Sequence, residues 1–177
     1  YRNINIGLAN EMAIICHKMG VNVWEVIKAA KTKPYGFQAF YPGPGVGGHC
    51  IPLDPYYLSW KAREYNYHTQ LIETSGIIND SMPFYIVERA GKILNRFKKP
   101  LNGSKVLILG IAYKQDIDDI RHSPALKVIE ELRKEGTIVS YYDPHVKEYE
   151  YKGYKGESIK ELNAERLQDS DLVIITT

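Results

Sequence analysis

Apolar residues at Ile4, Leu8, Met12, Ile15, Cys16 and Met19 recur at helical spacing, which predicts an amphipathic helix over about 4–19. Gly20 ends it, and Asn22 is placed to cap a second helix over about 23–31. The stretch 34–48 carries Pro34, Gly36, Pro42, Gly43, Pro44, Gly45, Gly47 and Gly48, which excludes helix and regular strand. Asp54-Pro55 then has the form of an N-cap followed by proline at the first helical position. A long helical pattern follows over about 70–98, with a kink or restart expected at Ser81-Met82-Pro83. Its apolar positions Ile77, Ile78, Ile86, Ala90, Ile93 and Phe97 exceed what one face of a small fragment needs, which points to a partner.

The pattern changes character at Pro100-Leu101-Asn102-Gly103. Short apolar runs at 105–110, 137–142 and 171–177 are strands, and Ser123-Pro124 opens a helix that Gly136 closes. Consecutive strands separated by crossovers form a parallel sheet. The expected class is therefore α/β, with a helical domain over 1–100 and an α/β domain over 101–177.

Composition narrows the function. Of 177 residues, 23 are basic and 21 acidic, a formal net charge of +2 that leaves no footprint for nucleic acid or an anionic membrane. Cations that meet an anionic ligand must then be few and locally placed. No apolar run approaches the roughly 20 residues that span a bilayer, and the first residues show no signal peptide. Two cysteines are too few for a disulfide framework and suit a reducing cytoplasm. No metal site is expected. The chain lacks an initiator Met and opens inside a helical pattern, as a piece from within a longer protein would.

Two segments carry candidate chemistry. In the loop 41–55, glycines permit backbone conformations and close approach that other residues resist, while prolines stiffen it. Cys50 lies just before a helix start, where the partial positive charge favours a thiolate. Spacing alone also allows a rigid turn with an incidental buried thiol. Cys16 is the contrast, a core residue on the first helix. His49 is a poor proton partner for its neighbour, since adjacent residues in extended backbone point to opposite sides. Asp54 could cap the helix, face Cys50, or both. The second segment, 110–124, joins a strand to a helix, where open α/β sheets bind ligands. It has no G-x-G-x-x-G turn. Asp143, at the end of the next strand, has the position of a ribose-binding acid. Lys114 and Arg121 could neutralise phosphates or simply pair with Asp116, Asp118 and Asp119.

Gly45, Gly47, Gly48, Cys50 and Asp54, together with Gly110, Ala112, Tyr113, Lys114, Asp119, Arg121, Ser123 and Pro124, resemble the two signature segments of the UDP-sugar 6-dehydrogenase family. Asn10-Glu11 fits the same pattern. The resemblance implies a central helical dimerisation domain followed by a truncated Rossmann-like UDP-sugar domain, with the NAD-binding domain and a catalytic Lys and Asn outside this chain. It implies a homodimer through the central helices and NAD as cofactor. The implied reaction oxidises C6 of a UDP-sugar twice, through a thiohemiacetal and a thioester on Cys50, with Asp54 acting on water. Tyr41, Gly43, Gly45 and Gly47 would wrap the sugar and diphosphate, and Tyr113 and Lys114 would touch the sugar. Cys50 and Arg121 would meet the cofactor. Gly48-His49-Cys50 and the segment 31–37 look most like the N-acetylhexosamine branch, with UDP-N-acetylglucosamine first and UDP-glucose or UDP-N-acetylmannosamine as alternatives. A non-catalytic nucleotide-binding and dimerisation module, with Cys50 structural, is the competing class. The two classes part on thiol reactivity, since a catalytic Cys50 should alkylate much faster than Cys16.

Overall fold

A computed structural model describes all 177 residues. The chain forms two compact units, one of residues 1–46 and 50–82, the other of residues 47–49 and 83–177.

The first unit holds α1 (Arg2–Met19), α2 (Val23–Ala30), α3 (Asp54–Arg63) and the first half of α4 (Leu71–Arg96). Gly20 ends α1 in the left-handed conformation, and the Asn22 side chain accepts the Trp24 N–H to cap α2, as their residue types require. The buried face of α1 coincides with the apolar stripe only at Cys16. Asn3, Gly7, Ala9, Asn10 and Cys16 are buried, whereas Leu8 is 56% and Met19 70% exposed. The reason is close helix contact: a Cβ on Gly7 would stand 3.0 Å from the Ser75 Cβ of α4. Small residues let the two backbones approach, and amides rather than leucines fill the seam beside them. Cys16 is buried, as its position on α1 predicts.

Proline does not break α4, which runs unbroken through Pro83. The lost N–H deprives only the Asn79 carbonyl of its helical partner. From Pro83 on, the helix belongs to the second unit, because Val87 and Ala90 are buried in one core with Val106, Ile108, Leu126 and Ile129. The change of unit therefore falls within α4, not at Pro100, where the residue pattern changes. Of the six apolar positions assigned to a partner surface, Ala90 is core and Ile86 packs against it, while Ile77 and Phe97 are 67% and 72% exposed.

The second unit is a parallel sheet in the order β2-β1-β5, from β1 (Lys105–Leu109), β2 (Ile138–Tyr142) and β5 (Leu172–Ile175). Helix α5 (Pro124–Lys134) joins β1 to β2 and buries Ala125, Leu126, Val128, Ile129 and Leu132. The tyrosine-rich segment after β2 is a hairpin of β3 (Glu148–Tyr151) and β4 (Tyr154–Glu157), followed by a short α6 (Ala164–Gln168). Lys152 and Gly153 both have positive φ, as a two-residue hairpin turn demands. The alternation Glu-Tyr-Glu-Tyr and the Lys-Gly pair were its signal.

Glu130 of α5 gathers Lys127, Lys134 and Lys152, the last from the hairpin turn. Hydrogen bonds from Lys152 and then Lys134 hold its carboxyl down to about 2, from 4.5. Because the folded-state value is depressed, the contribution is present above pH 4.5 and is lost as pH falls through about 2. Glu130→Gln should cost about 1–2 kcal/mol near neutral pH, after allowance for the half-exposed lysines. Thermal unfolding should show that difference shrinking toward pH 2.

Candidate active site

The loop after α2 leaves regular structure for more than a dozen residues, and each of its anchors is a named contact. The ring of Tyr41 stacks on Trp24, centroids 5.9 Å apart and planes 22° apart. The Gly43 N–H donates to Asn10 Oδ1 at 2.9 Å. Gly45 takes φ 134° and Gly48 φ 88°, values that L side chains resist. Further along, the Cys50 carbonyl accepts both the Leu53 N–H (3.1 Å) and the Asp54 N–H (2.8 Å). That turn leads directly into α3. Cys50 and Asp54 are both exposed, and Cys50 is in no disulfide.

Asp54 is not the cap. Leu53 occupies the N-cap position with no side-chain hydrogen bond, and Asp54 is the first helical residue. Its carboxylate sits in the first turn, where the helix dipole favours negative charge, and stands one turn beyond Cys50. The exposed thiol and the exposed carboxylate thus belong to one backbone turn. Tyr56, two residues on, donates to Asp80 at 2.7 Å, and burial with that bond pushes its phenol up to about 12.

In the second unit, Gly47 and Gly48 lie against Tyr113. A Cβ on Gly47 would stand 2.6 Å from the Tyr113 Cβ, and one on Gly48 2.9 Å from the ring. The Gly48 N–H donates to the Arg121 carbonyl at 3.0 Å. These two glycines serve close approach, Gly47 through space and Gly48 through φ as well. Tyr113 is half-buried, and the Lys114 ammonium lies 5.8 Å from its ring centroid.

Arg121 is 65% exposed and bound to Asp119, with Nη2 donating to Oδ2 at 2.6 Å and Nε to both carboxylate oxygens at 3.0 Å. The side-chain bond to Arg121 holds the Asp119 carboxyl below its ordinary range. The guanidinium therefore has one edge occupied. Asp116 and Asp118 make none of these bonds.

Asp143 does something the sequence did not disclose. It is buried, and its Oδ2 accepts the N–H groups of Ile111 (2.7 Å) and Ala112 (3.1 Å). Oδ1 accepts those of His145 (2.9 Å) and Val146 (3.1 Å). Burial pushes its carboxyl up, but the four backbone donors outweigh that and hold it below the usual range. A carboxylate so occupied is not free to bind a ribose. It fixes the turn from which Tyr113 and Lys114 emerge.

A cavity of about 340 Å³ opens at the carboxyl ends of β1, β2 and β5, lined by Lys114, Gln115, Tyr142, His145, Leu162 and Thr177 among others. Ligands of open α/β sheets bind at that edge. Its lining is largely apolar and carries one exposed ammonium, Lys114, with the carboxylate of Asp116 among its members, which suits a ligand that packs a flat face and meets a single cation. It does not fit a dinucleotide, because no tight glycine turn delivers helix N–H groups to a pyrophosphate and the candidate ribose acid is engaged. A larger open groove by Lys92, Lys99 and Lys134 has its ammoniums paired with Glu88, Asp171 and Glu130.

The sequence matches the description "UDP-glucose/GDP-mannose dehydrogenase family, central domain" over residues 1–81 and "UDP binding domain" of the same family over residues 107–177. The chain belongs to this family. It is 44% identical over 151 residues to a UDP-N-acetyl-D-mannosamine dehydrogenase of Methanocaldococcus jannaschii, covering 85% of this chain and 33% of that protein. A UDP-N-acetyl-D-glucosamine 6-dehydrogenase of Pseudomonas aeruginosa is 39% identical over 145 residues, 82% of this chain and 34% of that protein. The solved UDP-D-ManNAc dehydrogenase of Pyrococcus horikoshii superposes with a TM-score of 0.84 at 36% identity, over 99% of this chain and 39% of that one. The chain thus spans little more than a third of the length of these relatives. In family terms, the first unit is the central domain and the sheet of the second is the UDP-binding domain.

The Asp143 clamp should dominate the stability of the second unit. Asp143→Asn exchanges an ionic acceptor for one that can satisfy only some of the four N–H groups, and should cost about 2–4 kcal/mol in denaturant unfolding. Asp169→Asn, which touches only the exposed Lys105, should cost well under that.

Proposed function

We propose that this chain supplies the nucleophile and the sugar-nucleotide contacts of an NAD-dependent dehydrogenase that oxidises C6 of a UDP-N-acetylhexosamine to the uronic acid. The observation that carries the reading is the turn 50–54, in which an exposed thiol and an exposed carboxylate share one backbone hydrogen bond ahead of α3. The competing structural role for Cys50 requires a buried thiol. Cys16 has that property and Cys50 does not.

NAD, which the family relationship implies, would accept the hydrides; no residue set of this chain forms its site, and Arg121 is the one side chain assigned toward its diphosphate. The chain's own work is covalent. The Cys50 thiolate adds to the C6 aldehyde left by the first hydride transfer; the C–S bond forms as the carbonyl π bond breaks, and the oxygen takes a proton from solvent water, which gives a thiohemiacetal. Oxidation of that adduct leaves a thioester. Asp54 takes a proton from water, the hydroxide adds to the thioester carbon, and the C–S bond breaks to release the carboxylate and restore the thiolate. A thiolate suits both steps, since it attacks well and leaves well. Tyr41, Gly43, Gly45 and Gly47 are assigned to the sugar and diphosphate, with Tyr113 and Lys114 on the sugar.

The Gly-Gly-His-Cys loop and the segment 31–37 look most like the N-acetylhexosamine branch, with UDP-N-acetylglucosamine taken first, while the relatives named above include both the N-acetylmannosamine and the N-acetylglucosamine enzymes. These sugars differ in configuration at C2, remote from the C6 chemistry. Assay of the full-length protein with NAD and a panel of UDP-sugars distinguishes them, UDP-glucose included.

In the full-length protein, Cys50→Ala should lose net acid formation by about three orders of magnitude or more. Asp54→Asn should slow hydrolysis, so that intact-mass measurement finds an acyl adduct on Cys50. Near-normal turnover by Cys50→Ala would overturn the covalent route, and an Asp54→Asn enzyme impaired without any adduct would remove Asp54 from the water step.

We also propose that the protein is a homodimer through its central helices. Leu71, Ile77 and Phe84 on α4 remain exposed in a single chain, as an unfilled interface would leave them. Two unpaired cysteines suit a reducing cytoplasm, and no helix is long and apolar enough to cross a membrane. Light scattering should give twice the chain mass; a monomer at high micromolar concentration would count against the interface.

A further inference from the structure

Three asparagines lie in the seam between α1 and α4, where ordinary helix packing would place leucines. Asn10 is 0%, Asn79 1% and Asn3 5% exposed. Burying an amide is costly unless its donors and acceptors are met. Here they are met in a single direction. Asn79 Nδ2 donates to the Asn3 carbonyl (3.1 Å) and to Asn3 Oδ1 (3.0 Å), which turns Asn79 Oδ1 the other way. Asn10 Nδ2 donates to that oxygen at 2.9 Å. With its amide nitrogen so engaged, Asn10 has its oxygen facing out of the seam, where it takes the Gly43 N–H at 2.9 Å. Asn3 Nδ2 closes the far end on the Ile72 carbonyl.

The relay therefore ends in one fixed acceptor beneath the loop. Two residues before Gly43, the Tyr41 ring stacks on Trp24, and α2 is held at that residue by the Asn22 cap. A glycine- and proline-rich loop without regular structure is thus pinned at a peptide and at a ring. Trp24 is 55% exposed, so its ring is not there to fill a core.

We propose that Asn10 and Trp24 are positioning residues for the substrate loop, with Asn3 and Asn79 holding Asn10 in its accepting orientation. The proposal rests on the assignment of Tyr41 and Gly43 to the sugar nucleotide. A loop held in its binding conformation before the ligand arrives loses less freedom on binding. The effect then falls on binding of the UDP-sugar rather than on the covalent steps at Cys50.

The test uses the full-length enzyme and four variants. Trp24→Ala removes the stack at an exposed position, and Trp24→Phe retains an aromatic face. Asn10→Asp keeps an acceptor for Gly43 but cannot donate to Asn79, whereas Asn10→Leu loses both. Trp24→Ala and Asn10→Leu should raise KM for the UDP-sugar about tenfold with kcat changed less than about twofold, and Trp24→Phe should restore most of the loss. Asn10→Asp should melt earlier, as Asn10→Leu does, yet keep KM near the parent value, which separates positioning from simple destabilisation. Hydrogen exchange without ligand gives the independent reading: the Gly43 amide should be slow in the parent and in Asn10→Asp, and fast in Asn10→Leu. Unchanged exchange across residues 41–43 in Trp24→Ala and Asn10→Leu would overturn the proposal. So would KM shifts that follow melting temperature alone, with Asn10→Asp as impaired as Asn10→Leu. Exchange that responds as expected in a protein that oxidises no UDP-sugar would leave the anchoring in place and refute the functional assignment instead.

Discussion

A backbone N–H buried outside helix or sheet must find an acceptor, and both units of this chain are organised around meeting that demand with a side chain. In the second unit the acceptor is the carboxylate of Asp143. Four N–H groups, from Ile111, Ala112, His145 and Val146, converge on its two oxygens at 2.7 to 3.1 Å. Two of them belong to the segment leaving β1 and two to the segment leaving β2. One side chain therefore fixes both exits at the edge of the sheet where the cavity opens. The position of Tyr113 and Lys114 follows from that bond set, because they are the next residues after Ala112.

The first unit solves the same problem with neutral amides. Asn10 does for Gly43 what Asp143 does for Ile111 and Ala112, at lower strength since neither partner is charged. The compensation is geometric. Each amide in the series Asn3, Asn79, Asn10 has its donor and acceptor ends assigned by its neighbour, so the oxygen offered to the loop has one orientation. A leucine seam would pack as well and would leave the loop unattached.

Charge at the surface plays a smaller part. Lys152 on Glu130 ties α5 to the hairpin turn, and Lys99 with Asp171 links the residues after α4 to those before β5. Arg121 is held by Asp119 through three contacts, which orders a long side chain without burying it. A guanidinium kept in place and exposed is suited to meeting an anion on its free edge. The near-neutral total charge of the chain is consistent with cations used singly rather than as a field.

Much of this was present in residue order. Helix ends at Gly20, Asn22, Pro124 and Gly136 are decided locally, by φ and by a capping oxygen, so reading along the chain suffices for them. The parallel β1, β2 and β5 follow from short apolar runs separated by crossovers, and Cys50 with Asp54 from their spacing in one turn. Other features needed the tertiary structure. The apolar stripe of α1 is an ordinary amphipathic signal, yet Leu8 and Met19 are exposed while Asn3, Gly7 and Asn10 are buried. Hydrophobic periodicity says which residues share a face, not which face meets α4; that was decided by the close approach at Gly7 and Ser75. Pro83 predicts a kink or restart in sequence, and α4 continues through it as one helix. The division between units lies inside that helix, because Val87 and Ala90 join a core whose other members come more than a dozen residues later. Asp143 is the clearest case: its place at a strand end suggested a ligand, and only the fold shows that one of its oxygens is taken by the amides of Ile111 and Ala112, distant in the chain, while the other holds those of its neighbours His145 and Val146.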